Sequence, residues 1–342
     1  LKKSLIDVVD GRPVEPAPIW LMRQAGRYLP EYRELRARTG SFWTMCMTPE
    51  LSCEVTLQPI KRFGFDAAIH FSDILVVPFA LGRRVIFEDG IGPSLDPISD
   101  CGGLETDPEI WAQRLTPVYN GLGLVRAGLG PDTTLIGFAG APWTLATYLA
   151  AGRGGDEQKA AKLWGYRDPA GFERLLDILA DCVALHLTKQ IDAGAEVVQI
   201  FDSWASGLPE HAFEKWVIAP TKKIVAQIRT SHPKARIIGF PRAATLEGYR
   251  RYAEQTGVDV ISLDTAMPMS WAAGHLADRV GLQGNLDPIA LIAGGDALAE
   301  SVDRILQATR GVPFIFNLGH GILPETPIAH VEALLARVRS AR

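Results

Sequence analysis

Several features that would place a protein quickly are missing from this sequence. It has only four cysteines, Cys46, Cys53, Cys101 and Cys182, too few and too scattered for a disulfide framework. None forms a C-x-x-C pair, and there is no H-x-x-x-H or H-x-C pair, so a metal site is not indicated. A reducing cytoplasm is the simplest expectation. No stretch approaches 18 apolar residues, which excludes a transmembrane helix. The opening LKKSLIDVVDGRPVE lacks the apolar core of a secretory signal. Positive charge is not in excess: 35 Lys and Arg stand against 39 Asp and Glu, for a net charge of −4. Binding of nucleic acid by bulk charge is thereby excluded. No P-loop or G-x-G-x-x-G turn sits at a strand–helix junction, so no nucleotide cofactor is expected.

What is present is an apolar, repetitive chain. Hydrophobic residues make up 47% and charged residues 22%, enough to build a large core. Apolar runs at 17–21, 67–71, 134–138, 197–201, 236–240, 258–263, 280–284 and 313–317 read as strands. Helical patterns fall between them, including 30–38, a helix opening at Thr48-Pro49, a long one at 168–193 and a last one at 327–339. The runs are apolar throughout rather than alternating, as parallel strands buried on both faces should be. About eight β–α units in one chain predict an α/β fold, a single (β/α)8 TIM barrel spanning 1–342. A doubly wound sheet fits less well, because the first strand runs into Met22-Arg23-Gln24-Ala25-Gly26-Arg27 rather than a phosphate-binding turn. Residues 83–100 read as a hairpin or loop excursion.

In such a barrel chemistry sits beyond the C-terminal ends of the strands. Those positions hold Arg23, Arg27, Asp73, Trp143, Tyr148, Asp202, Ser203, Arg242, Asp264, Asn285 and His320. Arg23 and Arg27, four apart, suit carboxylates or phosphates held between two guanidiniums; a surface pair bridged to Glu31 or Glu34 is the alternative. Asp73, flanked by apolar residues, must find donors or shift its pKa, and spacing alone equally makes it a helix cap. Tyr148 falls one turn into a helix after the small residues of Phe138-Ala139-Gly140-Ala141-Pro142. It reads as a ligand contact or as a half-buried core residue. Ser203 lacks a G-x-S-x-G context, which favours hydrogen bonding to a ligand over covalent catalysis. His320 stands between Gly319 and Gly321, as an open imidazole or as a plain turn residue.

Four blocks carry a resemblance. Trp20-Leu21-Met22-Arg23-Gln24-Ala25-Gly26-Arg27-Tyr28-Leu29-Pro30-Glu31-Tyr32 closely resembles the N-terminal signature of the uroporphyrinogen decarboxylase family. Gly137-Phe138-Ala139-Gly140-Ala141-Pro142-Trp143-Thr144-Leu145-Ala146-Thr147-Tyr148 is similar to that family's second signature. Phe71-Ser72-Asp73-Ile74-Leu75 and Asn317-Leu318-Gly319-His320-Gly321-Ile322 match two further blocks. The resemblance implies a barrel enzyme, usually a homodimer, that uses no metal or organic cofactor. Its reaction converts four acetate side chains of uroporphyrinogen III to methyls, giving coproporphyrinogen III for haem synthesis. It further implies that Arg23 and Arg27 hold substrate carboxylates and that Asp73 faces the pyrrole N–H groups. Tyr148, Ser203 and His320 would line the same cleft, and Gln24, Ala25 and Gly26 would offer backbone N–H donors. Catalytic roles fall on Asp73, Arg23 and Tyr148. Two readings compete: a zinc-dependent methyltransferase of the same barrel superfamily, and a tetrapyrrole-binding relative without activity.

Overall fold

The computed structural model of the chain describes residues 3–88, 92–154 and 157–341. Its strands, in chain order, are β1 Ala67–Ile69, β2 Val85–Glu88, β3 Gly92–Leu95, β4 Thr134–Gly140, β5 Val197–Asp202, β6 Ile237–Pro241, β7 Val260–Ser262, β8 Gly281–Leu286 and β9 Phe314–Leu318. All but β2 and β3 form one parallel sheet in the order β1-β4-β5-β6-β7-β8-β9. Neighbours in space are neighbours in sequence, as successive right-handed β–α–β crossovers require.

The eighth stave is the segment at 18–20. The Phe316 N–H donates to the Pro18 carbonyl (2.8 Å), the Trp20 N–H to the Phe316 carbonyl (3.3 Å), and the Asp66 N–H to the Ile19 carbonyl (3.0 Å). These bonds join β9 to β1 and close the sheet into a (β/α)8 barrel. The expected strand at 17–21 shrinks to a single bridge between Ile19 and Phe316. Pro16 and Pro18 have no N–H to give, so a longer ladder is not available there. The Ile19 N–H is taken instead by the Asp66 carboxylate at 2.8 Å.

The expected helices are found at Pro30–Thr39, Pro49–Phe63, Pro169–Asp192 and Ile328–Ser340. Asp168 caps the long one by accepting from the Gly171 N–H at 3.0 Å. Thr48 precedes its helix but its side chain makes no capping bond; Pro49 alone marks that start. The excursion at 83–100 contains the antiparallel β2–β3 hairpin; the part at 89–91 lies outside the described residues.

The strands are not apolar throughout. Their helix-facing side chains join the large core between sheet and helices, but the barrel interior holds a polar layer. Trp20 Nε1 donates to Gln283 Oε1 (3.0 Å), and Gln283 Nε2 donates to Ser262 Oγ (3.0 Å) and Gln199 Oε1 (3.2 Å). All four residues are fully buried. Buried polar groups are tolerated where they satisfy one another. Below them Val197, Ile136, Ile238, Val260 and Ile315 fill the barrel.

Candidate active site

Above the polar layer a cleft of about 710 Å³ opens at the C-terminal ends of the strands. Arg23, Ala25, Gly26, Arg27, Asp73, Tyr148, Ser203 and His320 all line it, so eight of the nine expected positions converge. Phe138, Phe201, Phe240 and Ile74 supply apolar wall, and the β2–β3 hairpin adds Phe87 and Pro93.

The cationic side of the cleft is the loop after residue 21. Gln24 is the ninth expected position and does not line the cleft. Its N–H donates to the Leu21 carbonyl (3.0 Å), its Oε1 accepts from the Leu21 N–H (3.0 Å), and its Nε2 donates to the Ala67 carbonyl (2.9 Å). Every polar group of this fully buried side chain is committed to the fold. Gln24 is therefore a strut from the loop to β1 and not a ligand donor, which corrects the expectation. The next three N–H groups, of Ala25, Gly26 and Arg27, have no acceptor among the described residues.

Arg23 has φ 61, a left-handed conformation that a bulky residue adopts only when its surroundings enforce it. Two glycines make the room. A Cβ on Gly26 would lie 2.9 Å from the Arg23 carbonyl oxygen, and one on Gly321 would lie 2.4 Å from Arg23 Cδ. Neither Arg23 nor Arg27 pairs with a carboxylate among the described residues; Glu31 is taken by Arg62 at 2.8 and 2.9 Å. Arg36 also lines the cleft and was missed in the sequence. It lies four residues after Tyr32, another lining residue, so both stand on one face of the helix Pro30–Thr39.

Asp73 follows β1. One carboxylate oxygen accepts from the Leu75 N–H at 2.8 Å, a local turn just before the helix Val76–Ala80; the other has no donor among the described residues. Burial pushes its pKa up to about 6, against the opposing pull of the Leu75 N–H and of Arg23. Tyr148 is pushed up by burial and by the Asp73 charge. His320 is lowered to about 4 by burial and by the charges of Arg242 and Arg23. At neutral pH Asp73 is thus a carboxylate, Tyr148 a phenol and His320 a neutral imidazole, facing a cleft that Arg23, Arg27 and Arg36 also line.

Four other strand-end residues are tied into the fold. Asp202 is buried and accepts from Thr144 Oγ1 at 2.5 Å. Asp264 accepts from the Ala243 N–H (3.0 Å), the Ala266 N–H (2.8 Å) and Tyr249 Oη (2.8 Å). Asn285 donates to the Asp264 and Met267 carbonyls. Trp143 donates to the Trp204 carbonyl at 2.7 Å. Among the described residues no three His, Cys, Asp or Glu side chains gather to hold a metal ion, and no helix is long and apolar enough to cross a membrane.

A closed barrel with arginines and one desolvated carboxyl around an apolar-walled cleft defines a (β/α)8-barrel enzyme for an anionic small molecule. The chain belongs to the uroporphyrinogen decarboxylase family, whose model matches residues 1–341. It is 54% identical over 343 residues to a uroporphyrinogen decarboxylase of Chelativorans sp. (strain BNC1), covering 100% of this chain and 99% of that one. It is 52% identical over 342 residues to that of Brucella anthropi, covering 100% of both. A solved methyltransferase from Methanosarcina mazei shares the fold, with a TM-score of 0.82, 21% identity and 98% of each chain covered.

Proposed function

We propose that this protein is a uroporphyrinogen decarboxylase, converting the four acetates of uroporphyrinogen III to methyls. The observation that carries the reading is Asp73, a desolvated carboxyl within reach of the Arg23 charge in a cleft that Arg23, Arg27 and Arg36 also line. It stands in a chain more than half identical to proteins of that name.

The substrate has eight carboxylates around an electron-rich, apolar macrocycle. Arg23, Arg27 and the open N–H groups of Ala25 and Gly26 receive carboxylates, and the phenylalanine walls receive the rings. Each round is R–CH2–COO⁻ + H⁺ → R–CH3 + CO2. A proton adds to a pyrrole α-carbon, making an iminium-like cation conjugated to the acetate-bearing carbon. The C–CO2 bond breaks and its electron pair neutralises that cation. Protonation of the resulting exocyclic carbon, with loss of the first proton, yields the methyl. The substrate is its own electron sink, so the chemistry needs no cofactor.

Asp73, as a carboxylate against the pyrrole N–H groups, stabilises the cation as its charge develops, which lowers the barrier selectively. Of the cleft residues with resolved shifts, Asp73 alone ionises near neutral pH, so it also suits proton exchange with the ring. Tyr148 and Ser203 bind polar groups of the substrate, and His320 does so as a neutral imidazole. The reading includes residues 1–342 working as one domain, a homodimer in solution and a cytoplasmic location, all supported by the family resemblance.

Anaerobic incubation with uroporphyrinogen, followed by chromatography, should show stepwise loss of four carboxyl groups. Asp73→Asn should lower kcat by about 10²–10³, the effect of deleting one preorganised stabilising group. Near-wild-type turnover by Asp73→Asn would falsify the role of Asp73, and intact substrate with the wild-type enzyme would sink the whole reading.

A further inference from the structure

The cations lining the cleft all lie on one side, in the loop after residue 21 and the helix behind it. Across the barrel, where β5 ends, Ser203 lines the cleft and no charged residue joins it. Just behind it stands Arg242, at the end of β6, half-buried. Its Nη1 donates to the Ser203 carbonyl at 3.4 Å, and its charge acts on His320.

The backbone around Arg242 is unusually constrained. Its N–H donates to the Asp202 carbonyl at 3.1 Å, and the Ala244 N–H donates back to the Pro241 carbonyl at 3.2 Å. Between them Ala243 has φ 56, in the left-handed region that an alanine avoids unless it is held there. The hold is visible: the Asp264 carboxylate accepts from the Ala243 N–H, and Tyr249 Oη fixes that carboxylate from the outer layer. Three strand ends, β5, β6 and β7, are thus tied together around Arg242, whose guanidinium reaches the Ser203 carbonyl. Strain of this kind persists where the surroundings over-determine it, commonly at functional sites. Among the described residues Arg242 has no ion-pair partner that would explain the effort as a surface salt bridge.

We propose that Arg242 is a positioning residue for substrate binding. It fixes the Ser203 backbone and lends its charge to a neutral hydrogen-bonding wall across the barrel from Arg23 and Arg27, which receives the substrate carboxylates farthest from them; His320, within reach of that charge, reports it. This rests on the decarboxylase reading for the identity of the ligand. A guanidinium behind neutral donors strengthens the wall's attraction for anions without placing a third strong clamp on a macrocycle that must turn between rounds.

Two measurements test it on the full-length protein. In the ligand-free enzyme, the His320 ring is titrated by NMR in wild type, Arg242→Gln and Arg242→Lys. Gln should move the His320 midpoint upward by roughly half a unit or more, because a nearby positive charge is lost; Lys, which keeps the charge, should hold it near the wild-type position. In steady-state assays with uroporphyrinogen, Gln should raise KM roughly tenfold, the scale of one charge-assisted contact, with kcat within about twofold. An unmoved His320 midpoint overturns the coupling, and an unchanged KM overturns the role in binding. Failure of wild type to decarboxylate would remove the functional reading while leaving the ligand-free titration a valid test of the Arg242–His320 link.

Discussion

Asp73 is held in tension between its surroundings and its task. Its pKa of about 6 lies above that of a free carboxyl, so ionising it in the folded protein costs stability. That cost is absent well below pH 4, where both folded and unfolded states are protonated, grows as pH rises from about 4 to 6, and is complete above the folded pKa. Asp73→Asn keeps an acceptor for the Leu75 N–H and should raise stability at pH 8 by about 2 kcal/mol, with little gain at pH 4. Urea unfolding at the two pH values measures this; a stability loss at pH 8 would contradict the stated desolvation. The same ionisation should give kcat an acid limb near pH 6 that the Asn variant lacks. Gly321 makes a second residue-scale case. An added methyl has no room beside Arg23 Cδ at 2.4 Å, so Gly321→Ala should displace the guanidinium and raise KM at least tenfold, while Tm moves little; an unaltered KM would show that Arg23 does not hold substrate from this position. Residues such as Arg23, Asp73 and His320 were legible because they follow apolar runs directly. Gln24 and Arg36 were misread or missed for one reason: sequence shows which residues are near a strand end, but not which way each side chain turns.

At the scale of elements, the loop after residue 21 is shaped by its ties rather than by any regular structure. Gln24 joins it to Leu21 and to β1 through two buried hydrogen bonds, and the Asn317 carboxamide of β9 accepts from the Met22 N–H at 2.9 Å. Loss of buried partners of this kind costs about 1–3 kcal/mol. Gln24→Ala should therefore lower the free energy of unfolding by that amount and raise KM as well, because Arg23 and the open N–H groups lose their frame. Urea denaturation and steady-state kinetics on one preparation check both; reduced stability with normal KM would mean that the loop holds its shape without the strut. Helices at Pro30–Thr39 and Pro169–Asp192 were readable from Pro and Asp at their starts. The eighth stave was harder, since two prolines leave it a single bridge. The polar layer of Trp20, Gln199, Ser262 and Gln283 was hidden because its bonds run across the barrel between residues as far as 263 apart.

For the molecule as a whole, a net charge of −4 coexists with a cleft of arginines, since local placement rather than total charge sets the field a ligand meets. The same whole-molecule view governs acid stability. Three histidines are held neutral by the fold: His70 at about 4 and His186 at about 3 through burial, with His186 also opposed by His70, and His320 at about 4. His186 retains one contact, Nδ1 to Tyr119 Oη at 3.2 Å. Unfolded histidines take up protons near pH 6.5 and these do not, so each withdraws stability as pH falls from about 6.5 toward 4, by about 1.4 kcal/mol per pH unit. Asp73 and Asp202, raised by burial to about 6 and about 7, act in the opposite sense over the same range. They take up protons on folding and return stability as pH falls. Three groups against two leave a shallow net slope, so wild type should lose only about 1–2 kcal/mol per unit between pH 6.5 and 5. Replacing Asp73 by Asn removes one opposing group and should steepen that slope by up to one further increment of about 1.4 kcal/mol per unit. Urea unfolding of both proteins at pH 6.5, 5.75 and 5.0 decides the matter, and identical slopes would show that the buried carboxyl and the histidines do not offset each other as their burial requires.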